Sequence, residues 1–143
     1  MWSDFVAGLD AGFTLCPPAD PAALAGVADL VGGPVPDELA GLWRESDGLL
    51  DRYGTEIVWP WRRVVCDNLE FRSAPDFVGL YRPFDSLLFF GDAGNGDQFA
   101  FPTGGDAVWV WDHEDDDRRE VASGLRDYLR RTATGDDWYH RPP

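Results

Sequence analysis

The segment Ser86–Phe101, which reads SLLFFGDAGNGDQFAF, carries the clearest indication of the fold in this sequence. It contains two apolar runs, Leu87–Phe90 and Gln98–Phe101, on either side of a segment rich in glycine and aspartate, Gly91–Asp97. Glycine and asparagine adopt positive φ angles at low cost, and a hairpin loop often requires such angles. The sequence therefore predicts two antiparallel strands joined by a broad loop.

Further elements are predicted on the carboxyl-terminal side of this hairpin. The turn Thr103–Asp106 leads into an apolar stretch, Ala107–Trp111, which we expect to be a third antiparallel strand. The acidic run Asp112–Asp117 then precedes a predicted final helix, because an acidic entry and arginines in the last turn complement the helix dipole. Its apolar face repeats at i, i+4 and i+8 in Val121, Leu125 and Leu129. The tail beyond Thr134 is expected to be loosely held.

The first half of the chain is predicted to be helical. A first helix, which Gly12 can close, is indicated by apolar residues at i, i+3, i+4 and i+7: Trp2, Phe5, Val6 and Leu9. Asp20 is a natural N-cap before Pro21 and predicts a second helix ending at Gly32. The apolar face of that helix comprises Leu24, Val27, Leu30 and Val31. A third helix is expected to start at Pro36, and its apolar stripe comprises Leu39, Leu42 and Trp43.

Tryptophans occur in two closely spaced pairs, Trp59 with Trp61 and Trp109 with Trp111. Residues i and i+2 of an extended strand face the same side of a sheet. Pro60 interrupts the first pair, so the sequence predicts an edge strand or two short extended pieces there. Each pair is either buried in the core or exposed as an anchor for a partner, and the sequence leaves both alternatives open.

Composition limits the fold and the classes of partner. The length of 143 residues corresponds to one domain, residues 1–143, and an apolar content of 44% is enough for a packed core. Acidic residues number 26 against 12 basic ones, which gives a net charge of -14. This charge disfavours binding to nucleic acids or anionic membranes and favours a basic partner, although it also keeps a protein soluble.

The sequence contains neither a targeting signal nor an apolar run long enough to span a membrane, so we expect a cytoplasmic protein.

No motif of a ligand site or an active site is complete in this sequence. A nucleotide-binding loop is followed by a helix, whereas this glycine-rich segment leads into a predicted strand. Asp92, Asn95 and Asp97 lack EF-hand spacing, and His113 has no second histidine at metal-binding spacing. Ser46 does not lie in a nucleophile elbow. We therefore expect no catalytic residue, no metal and no cofactor, and hence no enzyme.

Several short motifs match a known family in their order along the chain. Residues 35–36 (Val-Pro) precede the third helix, and residues 47–48 (Asp-Gly) end it, where the family has Leu-Pro and an Asn-Gly-like turn. Phe90–Phe99 looks like the Gly-Asp-rich hairpin of the family. Val108–Glu114 and Leu125–Leu129 resemble its next strand with an acidic turn and its closing helix. Over most of its length the chain thus resembles the SMI1/KNR4 family, also called the SUKH superfamily.

The resemblance implies a single α+β domain with a mixed or mostly antiparallel sheet flanked by helices. Many bacterial members are immunity proteins that neutralise toxins, often nucleases or deaminases, and the family shares no catalytic residues. We therefore predict an immunity protein that binds and blocks a cognate toxin, and the acidity of this chain favours a basic toxin. The alternatives are a regulatory or scaffolding module for an endogenous partner, and an enzyme or small-ligand protein built around carboxylates and His113. The candidate partner-binding residues are Trp59, Trp61, Asp92, Asp97, Asp112, Glu114, Asp115 and Asp116.

Overall fold

The fold combines helices with antiparallel strands in an α+β arrangement, as expected. The computed structural model describes residues 1–135 and 137–140. The helices are α1 (Trp2–Leu9), α2 (Pro21–Leu24), α3 (Val27–Val31), α4 (Asp37–Glu45), α5 (Trp61–Ser73), α6 (Pro75–Val78), α7 (Leu125–Thr132) and a 3-10 helix, η1 (Trp138–His140). The strands are β1 (Thr14–Leu15), β2 (Leu49–Leu50), β3 (Glu56–Val58), β4 (Leu87–Asp92), β5 (Gln98–Pro102), β6 (Val108–Asp112) and β7 (Asp117–Ala122). Within these described residues, no helix has both the length and the apolar character needed to cross a bilayer.

The larger sheet contains β4, β5, β6 and β7 in sequential order, and every neighbouring pair is antiparallel. Asp92 pairs with Gln98 across β4 and β5, so the predicted hairpin is confirmed. Strands β1, β2 and β3 form a second antiparallel sheet. The two sheets meet where the Trp59 N–H donates a hydrogen bond of 2.7 Å to the Phe90 carbonyl oxygen.

Aromatic rings from α7 and the larger sheet fill the core between the two sheets. The rings of Phe90 and Phe101 stack with centroids 4.3 Å apart, and Tyr128 of α7 lies edge-on to Phe90 at 5.1 Å. The Tyr128 hydroxyl donates a hydrogen bond of 2.6 Å to the Ile57 carbonyl oxygen on β3. This bond satisfies a buried hydroxyl and connects α7 to the smaller sheet.

The prediction for the residues after the acidic run is partly wrong. Asp117–Ala122 forms a fourth strand of the sheet, so Val121 lies on β7 and not on the final helix. The acidic run is consequently a hairpin turn and not a helix entry. Charged side chains on an edge strand discourage pairing with other chains, and here they also conceal the strand pattern. Leu125 and Leu129 are both 0% exposed on α7, as expected.

The predicted amino-terminal helices are present with altered boundaries. Asp10, not Gly12, adopts the left-handed conformation that ends α1, with a φ of 49°. The second predicted helix is divided into α2 and α3 at Gly26, which is a weak helix former, and Leu30 is 49% exposed. Asp20 caps α2 as predicted. The predicted apolar stripe of α4 is fully buried and comprises Leu39, Leu42 and Trp43.

Trp59 and Trp61 do not share a strand face. The strand predicted before Pro60 is present as β3, but the extended piece predicted at Trp61 is wrong, because α5 begins there. The Trp61 N–H donates a hydrogen bond of 2.9 Å to Asp47 Oδ1. It thereby satisfies an amide that has no intrahelical partner in the first turn of a helix.

A buried asparagine fixes α5 to the larger sheet. The Asn68 side chain is 0% exposed. Its Nδ2 donates to the Phe89 carbonyl oxygen at 2.8 Å, and its Oδ1 accepts from the Phe89 N–H at 2.8 Å. The amide group therefore pairs both backbone groups of one residue of β4, which sets the position of the helix along the strand.

The segment after Thr134 is more firmly packed than its sequence suggests. Trp138 and Tyr139 are only 7% and 3% exposed. Trp138 stacks on Phe99 of β5 with ring centroids 5.6 Å apart and an interplanar angle of 14°. The expectation of a loosely held tail is therefore wrong for η1, while residues 136 and 141–143 lie outside the described part of the chain.

Candidate protein-binding site

Two loops carry all the candidate carboxylates, and these loops meet at one end of the larger sheet. We call them the glycine loop, residues 91–97, and the acidic turn, residues 112–117. They are neighbours because Gln98 pairs with Trp111 across β5 and β6. His113 lies directly against Gly96, where an added Cβ would come 2.8 Å from the imidazole Cε1. Gly96 also has a φ of 102°, so both its conformation and this close approach require glycine.

Asp97 is the buried link between these loops and η1. It is 4% exposed, and its Oδ1 lies 2.7 Å from His113 Nδ1 and accepts a bond of 3.2 Å from the His113 N–H. The Tyr139 hydroxyl donates to its other oxygen at 3.1 Å. Burial raises the pKa of Tyr139 to about 12, and the bond with Asp97 raises the pKa of His113. Asp97 is therefore occupied inside the fold and has no accessible carboxylate for a partner.

Asp116 is a second carboxylate that acts within the fold. Its Oδ1 accepts from Trp111 Nε1 at 2.8 Å and from Arg118 Nη2 at 3.0 Å, and its Oδ2 accepts from the Arg82 N–H at 3.0 Å. Burial acts to raise the pKa of Asp116, but the hydrogen bonds from Arg82, Trp111 and Arg118 outweigh it and lower the pKa to about 2. The ionised carboxylate thus connects the acidic turn to the segment that precedes β4.

Asp92 belongs to an ion-pair network centred on Arg63. The guanidinium of Arg63 contacts Asp92 at 2.7 Å, Asp67 at 3.0 Å and Glu56 at 3.2 Å. The same guanidinium lies 4.1 Å from the centroid of the Trp59 ring. Desolvation acts to lower the pKa of Arg63, but the bonds to Asp67 and Asp92 raise it overall. This network joins α5 to the hairpin strand β4.

The tryptophan candidates separate into buried and partly accessible residues. Trp59 is 0% exposed, so it is core and offers no surface to a partner in this structure. Trp61 is half-buried, and the Arg62 guanidinium lies 5.4 Å from its ring centroid. In the second pair, Trp111 is buried and Trp109 is half-buried. The core interpretation therefore holds for one tryptophan of each pair.

The accessible candidates lie on the acidic turn. Glu114 and Asp115 are exposed, and Asp112 is half-buried. Asp112 Oδ1 accepts from the Glu114 N–H at 3.0 Å, and Asp115 Oδ1 accepts from the Asp117 N–H at 3.0 Å. These bonds fix the backbone of the turn and leave carboxylate oxygens facing solvent. The turn therefore presents preorganised negative charge to an incoming partner.

A group with the ligand types of a metal site is present but already satisfied. Asp97, Asp112 and His113 each offer a ligand atom, and these atoms lie within 4.8 Å of one another. However, Asp97 already bonds to His113 and Tyr139 through its two oxygens. A metal would have to displace these bonds, so the arrangement is explained without one.

Sequence reasoning missed an apolar surface beside the acidic turn. Val78 and Leu80 are 62% and 69% exposed, next to a cavity between α5, α6 and the segment before β4. A signal was available in the apolar run of residues 77–81, FVGLY, which lies between Pro75 and Pro83. Its short length gave no clear periodicity, so it indicated neither a helix nor a strand.

A search among curated proteins finds no match to this sequence. The sequence model of the SMI1 / KNR4 family (SUKH-1) matches residues 18–131. The matched region extends from the connector before α2 into the last turn of α7 and includes both the glycine loop and the acidic turn. The chain therefore belongs to the SMI1/KNR4 family (SUKH-1).

Proposed function

We propose that this chain is an immunity protein that binds a cognate toxin and neutralises it by direct protein-protein contact. The family is known for immunity-type proteins, and its members are generally non-catalytic. The observation that carries the proposal is the acidic turn. Its exposed carboxylates, Glu114 and Asp115, lie on a turn whose conformation is held by hydrogen bonds to Asp97 and Asp116.

The proposed partner is a basic protein of the nuclease or deaminase type. A net charge of -14 attracts such a protein over a distance and increases the rate of encounter. Enzymes that act on nucleic acids need positive surfaces to hold phosphates. An acidic turn that covers such a surface excludes the substrate without any chemistry of its own, so blockade by contact is sufficient.

The test is co-expression with the protein encoded by the adjacent gene. We expect this chain to rescue the cells from toxicity and to co-purify with the toxin in a stable complex. The double variant Glu114→Gln/Asp115→Asn should weaken both effects. The control Asp4→Asn/Asp29→Asn removes two other exposed carboxylates and should leave both effects unchanged.

Two outcomes would count against the proposal. If the adjacent product is toxic and is neither bound nor neutralised, the immunity function is wrong. If it is harmless but forms a stable complex, the chain is a regulatory or scaffolding module for an endogenous partner instead.

A further inference from the structure

A surface cavity of about 200 Å³ lies beside α5 and α6. Three of its walls are Phe71, Phe77 and Phe84, with the ring of Phe71 centred 4.7 Å from that of Phe77 and 5.4 Å from that of Phe84. Small-molecule pockets usually measure about 300–1,000 Å³, whereas an apolar cavity of about 150 Å³ accommodates one benzene. The cavity therefore suits a single apolar side chain better than a whole small molecule.

Three exposed apolar residues lie in or next to the chain segments that line this cavity. Val78 lines it and is 62% exposed, while Leu80 and Leu69 are 69% and 46% exposed. Exposed apolar residues that occur singly need no explanation, but a cluster of them commonly marks a protein interaction site. We call Leu69, Val78 and Leu80 the apolar rim.

The cavity adjoins the acidic turn. Arg82 lines the cavity, and its Nε donates to Asp116 Oδ2 at 3.1 Å. The preceding residue, Tyr81, donates from its hydroxyl to the His113 carbonyl oxygen at 3.4 Å. Cavity and acidic turn are thus neighbouring parts of one surface, joined by direct bonds.

The arginines that line the cavity are engaged within the fold, whereas several carboxylates next to the lining residues in sequence are not. The guanidinium of Arg82 is paired with Asp116, and that of Arg72 donates to the carbonyl oxygens of Val31 and Leu87. In contrast, three carboxylates of this segment have no ion pair or side-chain hydrogen bond within the part of the chain that the structure describes: Glu70, Asp76 and Asp85. Asp85 itself lines the cavity, and Glu70 and Asp76 are the sequence neighbours of the lining residues Phe71 and Phe77. Glu114 and Asp115 add exposed negative charge on the adjoining acidic turn.

We propose that the cavity and the acidic turn form one docking surface for a basic protein segment, whose apolar side chain enters the cavity. The flanking lysines or arginines of that segment contact the carboxylates around it. Central apolar anchors in a polar surround dominate the affinity of many protein interfaces. The identity of the partner as a toxin rests on the proposed function, whereas the chemistry of the docking segment rests on this surface alone.

The first arm of the test measures affinity for the protein encoded by the adjacent gene, using the full chain. The variant Val78→Ser/Leu80→Ser removes exposed apolar groups without altering charge, and its dissociation constant should rise about tenfold or more. The matched control Leu15→Ser/Tyr53→Ser removes exposed apolar groups at β1 and the turn after β2, and should bind normally. A complex that forms with unchanged affinity in the first variant overturns the docking surface and leaves the immunity function intact.

The second arm does not depend on the adjacent gene product. The ¹⁵N-labelled chain is titrated with the capped peptide Gly-Arg-Phe-Arg-Gly and with its counterpart Gly-Arg-Ser-Arg-Gly, followed by amide chemical shifts. We expect saturable shifts at residues 77–85 and 112–117 with the phenylalanine peptide, and a clear reduction with the serine peptide. Equal responses to both peptides, or shifts confined to other regions, overturn the docking surface. If the peptide binds as expected while the adjacent product forms no complex, the surface stands and the immunity function fails.

Discussion

The acidic residues at one end of the larger sheet differ sharply in their role, although they lie on two neighbouring loops. Asp97 and Asp116, which we call the locked carboxylates, accept hydrogen bonds from several neighbouring groups and hold loops together. Glu114 and Asp115 lie on the acidic turn, and we call them the free carboxylates because both side chains are exposed, although Asp115 Oδ1 also accepts from the Asp117 N–H. The difference shows that net charge alone does not locate a binding surface, because some carboxylates already accept hydrogen bonds within the fold.

The largest expected effect follows from removing a locked carboxylate. Asp116→Ala leaves Trp111 Nε1 without its acceptor and leaves Arg118 without a carboxylate partner. The Arg118 side chain is only 11% exposed, and its remaining acceptors are carbonyl oxygens. Loss of a partner for a charged, desolvated group costs about 3 kcal/mol. Denaturant unfolding should show this loss, and Asp115→Ala should change the free energy of unfolding by less than about 0.5 kcal/mol. Equal losses in the free energy of unfolding for both variants would contradict the distinction between locked and free carboxylates.

The same locked carboxylate should make the free energy of unfolding depend on pH under acidic conditions. The pKa of Asp116 is lowered from 3.8 to about 2 in the folded chain, so its ionised form stabilises the fold above pH 3.8. That stability is lost as the pH falls from about 4 to about 2, and the shift corresponds to about 2 kcal/mol. Asp116→Asn should remove this part of the acid dependence. The measurement is the free energy of unfolding against pH, and an unchanged profile in the variant would contradict the assignment.

The bond between His113 and Asp97 should give a weaker effect with the opposite sign. The hydrogen bond with Asp97 raises the pKa of His113 above its ordinary value of 6.5. Its stabilisation is therefore complete below pH 6.5 and is lost as the pH rises through the raised value. We expect the melting temperature to fall slightly across this range, and His113→Gln to flatten that decline. A variant with the same decline as the parent chain shows that another group is responsible.

Neutralising the free carboxylates should have the smallest effect on the fold. Glu114→Gln/Asp115→Asn should change the free energy of unfolding by no more than about 0.5 kcal/mol, since both residues are exposed. The association rate with a basic partner should fall, and so should its dependence on salt, because electrostatic steering acts mainly on the encounter. Stopped-flow binding at several ionic strengths measures both quantities. A large stability loss with no change in rate would place these residues among the locked carboxylates.

The parts of the fold that could be predicted depend on local sequence. The β4–β5 hairpin follows from glycine and asparagine in its loop, and the buried face of α4 follows from helical periodicity. Strand β7 could not be predicted, because its charged residues are stabilised by pairing with β6 rather than by burial of every second side chain. The burial of Tyr139 likewise depends on Asp97, which lies far away in sequence.

The site was partly predictable for the same reason. The acidic turn was recognisable from its composition, and so were the candidate carboxylates on it. Composition could not distinguish Asp116 from Asp115, because only the approach of Arg82 and Arg118 determines which carboxylate is locked. Nor could it place Trp59 in the core beneath the guanidinium of Arg63.

Hydrogen exchange of the chain with and without the purified product of the adjacent gene shows directly which surface the partner covers. We expect binding to slow amide exchange in residues 112–117 and 77–85, and to leave α1 and the turn after β2 unchanged. Protection confined to α1 or to the turn after β2, with no change at the acidic turn or the apolar rim, would contradict it.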